Sequence, residues 1–360
     1  MSVPSNISRN LNVAIRPFAG SALFLLLTLL ITTFMFTATY VQSQDTPQDA
    51  SPNLAVRRRE AYVAAVERAA PSIVRLDMVG GQDDIDGVRA PSGPVTGLVV
   101  SEDGHILTAA FNVAHQPASI LVSTGSGAQK VARIVATDHN RNLTLLKIEP
   151  DASLPVPEFA PTGEVRTGQT ALALGRAYDA PTPSFSAGIV SGKGRIWGKA
   201  IQTDAAVSMA NYGGPLINLD GQVLGLLAPL SPTLVDVTAG VDWYDSGVGF
   251  AISSDELLRT LPILLTGTDV HRGHAGLGFN PQTVHTAAPI LESLLPGGPA
   301  ETAGVRPGDR ILEVDATPVA RVADVLNQFG PKNAGDTVRL LLDRDGENIE
   351  IEFPLVETLE

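Results

Sequence analysis

The chain contains no cysteine. Disulfide staples, thiolate nucleophiles and cysteine-ligated metals are therefore excluded, and the fold rests on burial alone. Aromatic residues make up only 5% of the 360 residues, so the cores are aliphatic and β-branched. Basic residues are also scarce. Lys and Arg total 25 against 38 Asp and Glu, giving a net charge of −13. The one basic cluster, Arg57-Arg58-Arg59, reads as a solvated helix start near a membrane surface. A nucleic-acid partner needs a basic face, so nucleic acid is excluded.

What is present begins with a long apolar run. No charge occurs between Arg16 and Asp45, and FAGSALFLLLTLLITTFMFTATYV (18–41) exceeds the ~20 residues needed to cross a bilayer. Arg9 and Arg16 precede it, which puts residues 1–16 in the cytoplasm and the rest of the chain outside. The run 17–41 is either an uncleaved anchor or a cleaved signal segment. Its apolar part is longer than the ~7–15 residues of a signal peptide, which favours a single-pass inner-membrane anchor with a periplasmic body.

Residues 42–56 form a polar, proline-containing linker. RRREAYVAAVERAA (57–70) places Tyr62, Val63, Val66 and Ala69 on one helical face and is stopped by Pro71. Short β-branched runs divided by Gly, Pro and Asp turns then continue to about residue 252, the spacing of an all-β barrel or sandwich. SDELLRTLPILLTGT (254–268) predicts a closing helix. A second unit, 269–360, starts around GLGF (276–279) and carries one helix at 321–330.

QTDAAVSMANYGGPLINLDG (202–221) is the most specific stretch. With GLVVSEDGHILTAA (97–110), DHNRNLTLLKI (138–148), SFSAGIVSG (184–192) and GVGFAIS (247–253), in that order, it resembles the HtrA/DegP group of serine proteases. The resemblance implies a mainly β fold: a chymotrypsin-like double β-barrel at 57–268, then a PDZ domain at 269–360. That family uses a serine nucleophile, a histidine base and an aspartate that holds the imidazole. The motif T-x-x-H aligns with Thr108-Ala109-Ala110-Phe111, D-x-x-x-D-L with Asp138 to Leu143, and G-N-S-G-G-P with Ala210 to Pro215. The three roles therefore fall on Phe111, Asn142 and Tyr212.

None of these side chains can replace the original. Phenylalanine has no basic nitrogen, asparagine carries no charge, and a phenol of pKa ~10 without a neighbouring base is a poor acyl acceptor. The triad is read as degenerate and the chain as a pseudoprotease. The alternative is an active serine endopeptidase with relocated residues, for which His115, His139 and Ser208 are the nearest candidates. His271, His274 and His285 lack a carboxylate at metal-site spacing, so no metal is assigned, and no cofactor is implied.

GLGF resembles the carboxylate-binding loop of PDZ domains, and GGPAETAGVRPGDRILEVDATPVARVADVLNQF (297–329) resembles their core. The resemblance implies that backbone N–H groups of Gly276, Leu277, Gly278 and Phe279 receive the C-terminus of a peptide or protein, which adds as a strand. Leu277, Phe279, Val322, Val325 and Leu326 are the expected pocket, apolar throughout. A groove filled by the chain's own tail PLVETLE (354–360) is the competing expectation. Trimerisation is the habit of that family, so partners extend to homo- or hetero-oligomers with HtrA-like relatives.

Overall fold

The computed structural model describes residues 53–82, 84–85, 88–89, 93–125, 127, 129–177, 183–231 and 247–357. The expected cytoplasmic segment, the apolar run 17–41 and most of the linker lie outside the described residues. Among the described residues, no helix is long and apolar enough to cross a membrane.

Helix α1 (Leu54–Ala69) starts three residues before the predicted Arg57. Its inner stripe is narrower than expected, because Ala65, Val66 and Ala69 are buried while Val63 is 44% exposed. Pro71 ends it in a 3-10 turn, Ala70–Ser72.

Two closed barrels follow. The first contains β1 (Ile73–Val79), β2 (Val95–Val99), β3 (His105–Ala109), β4 (Ser119–Ser123), β5 (Gln129–Asp138) and β6 (Leu143–Lys147), in the order β1-β2-β3-β6-β5-β4. The second contains β7 (Thr170–Gly175), β8 (Ser184–Arg195), β9 (Ala200–Thr203), β10 (Pro215–Ile217), β11 (Val223–Leu227) and β12 (Gly249–Ser253), in the order β8-β9-β12-β11-β10-β7. Closure removes the sheet edges that would otherwise invite strand pairing between molecules. Each barrel fills its interior with aliphatic side chains: Val74, Leu76, Ile106 and Leu146 in the first, Leu216, Leu224, Val190 and Ile201 in the second. A third cluster, including Leu98, Leu107, Leu145, Leu174, Leu226 and Ile252, joins residues of both barrels. Helix α2 (Ser254–Leu265) buries Leu257 and Leu264 in that cluster.

The C-terminal unit has its own core. It contains β13 (Gly273–His274), β14 (Leu277–Gly278), β15 (Ser293–Leu294), α3 (Pro299–Thr302), β16 (Arg310–Val314), β17 (Thr317–Pro318), α4 (Val322–Phe329), β18 (Thr337–Arg344), β19 (Glu347–Pro354) and β20 (Val356–Glu357). Four strands form the sheet β17-β16-β18-β19, and Val325 and Phe329 of α4 belong to its core. The pairs β13-β20 and β14-β15 close the rim.

A polar network ties this unit to the first barrel. Arg141 is fully buried. It donates to Asp138 Oδ2 (3.0 Å), Glu256 Oε2 (2.8 Å), Asn333 Oδ1 (3.0 Å) and the carbonyl of Pro331 (2.6 Å). Asn140 Nδ2 donates to the carbonyls of Gly330 (3.2 Å) and Lys332 (3.1 Å).

Lys199 is buried beside the same turn, donating to Asn140 O (2.7 Å) and Oδ1 (3.0 Å). Burial first, and then repulsion from Arg272 and Arg141, lowers its pKa from 10.5 to about 7. In the unfolded chain the proton stays on until about pH 10.4. Below pH 7 both states carry it, and the full cost of burying the charge is present. Between about pH 7 and 10 the unfolded state holds more protons, so stability rises with pH, by about 1.4 kcal/mol per unit at most. The neutral amine keeps two N–H donors, enough for both Asn140 oxygens. Urea midpoints measured from pH 6.5 to 9 are expected to rise more steeply for the wild type than for Lys199→Met. Parallel curves would refute this.

Candidate functional site

The three positions singled out in the sequence meet in space. Register Ala109↔Leu143 sets the end of β3 against the start of β6. Ala110 N–H then donates to the carbonyl of Asn142 at 2.9 Å, which locks the turn Ala110–Asn112 beside residue 142. Asn142 has φ +58°, a left-handed conformation that asparagine tolerates better than most residues. From the second barrel, Tyr212 packs its ring edge-on to Phe111, with centroids 6.4 Å apart and an 87° interplanar angle. Asn112 Nδ2 donates to the carbonyl of Tyr212 at 2.8 Å and to Thr108 Oγ1 at 2.9 Å. Both rings are 8% exposed and belong to the cluster shared by the barrels. The space between them is filled with aromatic carbon.

The turn after Tyr212 is held by packing. Gly213 has φ +87°, and a Cβ there would strike the carbonyl of Thr96 and the Thr108 hydroxyl. A Cβ at Gly214 would strike the carbonyl of Leu174. Gly213 is thus required by the contact between barrels and Gly214 by packing within the second barrel, whatever residue 212 is.

Backbone polarity at this turn matters for chemistry. An oxyanion pocket needs N–H groups that point at the developing charge. Here Asn211 N–H donates to Ser208 O (2.9 Å) and Tyr212 N–H to Met209 O (3.3 Å) in a 3-10 turn, Met209–Asn211. The Tyr212 amide is engaged inside the chain.

The relocated candidates do not converge. His115 is 4% exposed, its Nδ1 has no hydrogen-bond partner among the described residues, and burial lowers its pKa. Ser208 Oγ lies 3.2 Å from Asn211 Oδ1. His139 lies by Asp269 and His271. Sequence reading missed one Ser/His/Asp group. In the turn between β2 and β3, Ser101 Oγ lies 3.0 Å and Asp103 Oδ1 2.9 Å from His105 Nδ1. Both partners share one nitrogen, whereas a proton relay needs the alcohol and the carboxylate on opposite nitrogens. The hydrogen bond from Ser101, then that from His105, holds the Asp103 carboxyl below its usual range. This is a turn-stabilising cluster.

In the C-terminal unit, Leu277 and Gly278 pair with Leu294 and Ser293. Leu277 and Phe279 are partly buried against the core, and Val325 lies within it. Val322 N–H donates to Ala287 O (3.1 Å) and Ala323 N–H to Val284 O (2.9 Å). Val284 packs on Val322 and Ala323, with Phe279, Ala287 and Leu326 around them. The segment from Val284 to Ala287 therefore lies against the start of α4, on the side where the sequence suggested a groove. Nothing in GLGF signals this cover. A separate cavity lies between α4 and the second barrel, with Trp197, Val248, Val284, His285 and Asn327 among its walls.

Residues 95–226 match the trypsin-like peptidase domain family, and residues 275–355 match the PDZ domain family. The mouse protein named serine protease HTRA4 is 32% identical over 301 residues, 75% of this chain and 59% of its own length. The probable periplasmic serine endoprotease DegP-like of Chlamydia trachomatis serovar D is 30% identical over 271 residues, 71% of this chain and 52% of its own length. The chain belongs to the HtrA/DegP-like serine protease family. It spans between half and two thirds of the length of these HtrA relatives. Among solved structures, an HtrA-type protease, AlgW, with a tripeptide aligns over 83% of this chain and 98% of its own, with TM-score 0.65 and 25% identity. The serine endoprotease from Yersinia pestis aligns over the same shares with TM-score 0.59 and 28% identity. The HtrA architecture expected from the sequence, a double barrel followed by a PDZ domain, is therefore present.

Proposed function

We propose that this chain is a non-hydrolysing HtrA-like protein, anchored by residues 17–41, with its body in the periplasm. It receives peptide or protein C-termini at Gly276–Phe279 and serves envelope protein quality control or regulates active relatives by assembling with them. One observation carries the loss of hydrolysis: Phe111, Asn142 and Tyr212 stand together where the family's base, carboxylate and nucleophile align. With phenylalanine, asparagine and tyrosine there, none of the three positions supplies a base of ordinary strength or an alcohol of ordinary reactivity. The engaged Tyr212 amide supports the same reading. The extracytoplasmic placement is supported by relatives named as periplasmic. Peptide recognition is supported by the PDZ match and by AlgW structures that contain peptides. Because Val284 covers Val322, a peptide reaching Val322, Val325 and Leu326 displaces the 284–287 segment first.

The test uses the full chain in detergent. A fluorophosphonate probe is expected to leave every serine unlabelled, and casein to stay intact, while peptides ending in an apolar residue and a free carboxylate bind saturably. A stoichiometric serine adduct establishes the active-peptidase alternative. Pro354 ends β19 and Val356–Glu357 form β20, so binding that appears only after residues 358–360 are removed points to the end of the tail as occupant.

A further inference from the structure

We propose a divalent-metal site, of zinc class, formed by His139, Asp269 and His271 at the junction between the first barrel and the C-terminal unit. One nitrogen of each histidine and one oxygen of Asp269 lie within 4.8 Å of one another. The residues are far apart in sequence, but the backbone holds them together. Asp138 and Val270 form a parallel bridge. His139 N–H donates to Val270 O (2.8 Å), and Val270 N–H to Thr137 O (2.9 Å). The two stretches are thus laced side by side, and both histidines project from the laced region.

Two of the three donors are fixed by further partners. Asp269 spends Oδ1 on the Thr137 amide at 2.8 Å, which fixes the carboxylate and leaves Oδ2 facing His139 Nε2 at 3.7 Å. His271 Nδ1 lies 2.9 Å from Glu357 Oε1. A carboxylate that accepts from one ring nitrogen leaves the other to ligate, as in carboxylate–histidine–metal arrangements. The imidazole rings are stacked, 4.6 Å between centroids and 19° apart. The in-plane lone pairs of stacked rings run side by side, so the rings turn as the donors close on a metal.

Two imidazoles and one carboxylate are the donor set of a three-ligand zinc site that keeps a fourth position for water. A metal at 2.0–2.2 Å from each donor needs the three atoms to close by roughly an ångström. Side chains between a third and a half exposed can make that movement. The chain has no cysteine, so imidazole nitrogen and carboxylate oxygen are the usual zinc donors it offers. His139 lies three residues before Asn142, and Asp269 and His271 lie in the segment leaving α2. A bound ion would therefore clip the connecting segment to the turn that carries one of the three converging positions.

The test is equilibrium dialysis of the full, untagged, chelator-stripped chain in detergent against zinc chloride at pH 7.5, with bound metal read by elemental analysis. One zinc per chain is expected, with a dissociation constant on the order of micromolar. His139→Ala and His271→Ala are each expected to weaken binding by more than about tenfold, and Glu357→Gln by about 10–100-fold. His285→Ala, which alters the histidine stacked on Trp197, is expected to leave binding unchanged. Thermal melts without zinc are expected to be the same for all four variants, which separates ligand loss from unfolding. No saturable binding below about 100 μM, or binding that survives both His139→Ala and His271→Ala, would overturn the site.

Discussion

Replacing Arg141 with alanine is expected to destabilise the folded chain by about 3–5 kcal/mol, a large part of the 5–15 kcal/mol that holds an ordinary domain together. The guanidinium is fully buried and meets two carboxylates, one side-chain amide and one carbonyl. Removing it strands Asp138, itself fully buried, without its cation, and uncompensated buried charge is the expensive outcome. Lysine cannot take its place, because it offers one point charge where the planar fork reaches Asp138, Glu256 and Pro331 at once. Arg141→Lys is therefore expected to recover less than half of the loss. An apolar triple replacement of Arg141, Asp138 and Glu256 is the informative contrast, since it removes both signs together. If Arg141→Ala alone shifts the urea midpoint no more than a surface substitution does, the network is not a stability element.

This network was the least legible part of the molecule. Each β-run carries its own signature, alternating or continuous apolar residues between turn formers, so the strands could be read from local pattern, which left barrel and sandwich open; the double barrel came from the family resemblance, and α4 began and ended within one residue of expectation. Arg141, by contrast, reaches Glu256 and Asn333 across 115 and 192 positions. No local periodicity encodes such a pairing. The proposed metal site is hidden for the same reason. His139 and His271 become neighbours only because the segment after α2 runs back along the end of β5. The convergence of Phe111, Asn142 and Tyr212 was accessible, because motif order fixes which strand ends meet. The state of the Tyr212 amide was not, since it depends on how three residues coil ahead of it. The cover over α4 also escaped, because Val284 and Ala287 form no motif of their own.

Restoring serine at position 212 alone is expected to give no fluorophosphonate adduct. The new hydroxyl would face Phe111, and neither position 111 nor position 142 would offer a base to take its proton. Members of a triad act as a unit, so supplying one recovers almost none of the ~10⁶-fold that the set provides. The triple variant Phe111→His, Asn142→Asp, Tyr212→Ser is expected to label slowly. Its base and carboxylate would sit on the turn that Ala110 N–H and Asn142 O already pin together. The anion pocket would still be compromised, because the residue-212 amide remains tied to Met209 O. Adding Ala210→Gly frees the preceding residues to leave the 3-10 turn and is expected to raise labelling by a further 10²–10³-fold or so, the worth of an oxyanion donor. Losing the buried ring pair costs about 3 kcal/mol or more, so each variant is to be shown folded by its thermal melt first. Two results contradict the proposal. One is Tyr212→Ser labelling as fast as the triple variant, which means a base already stands nearby. The other is a folded quadruple variant that never labels, which means the three positions do not form a catalytic locus at all.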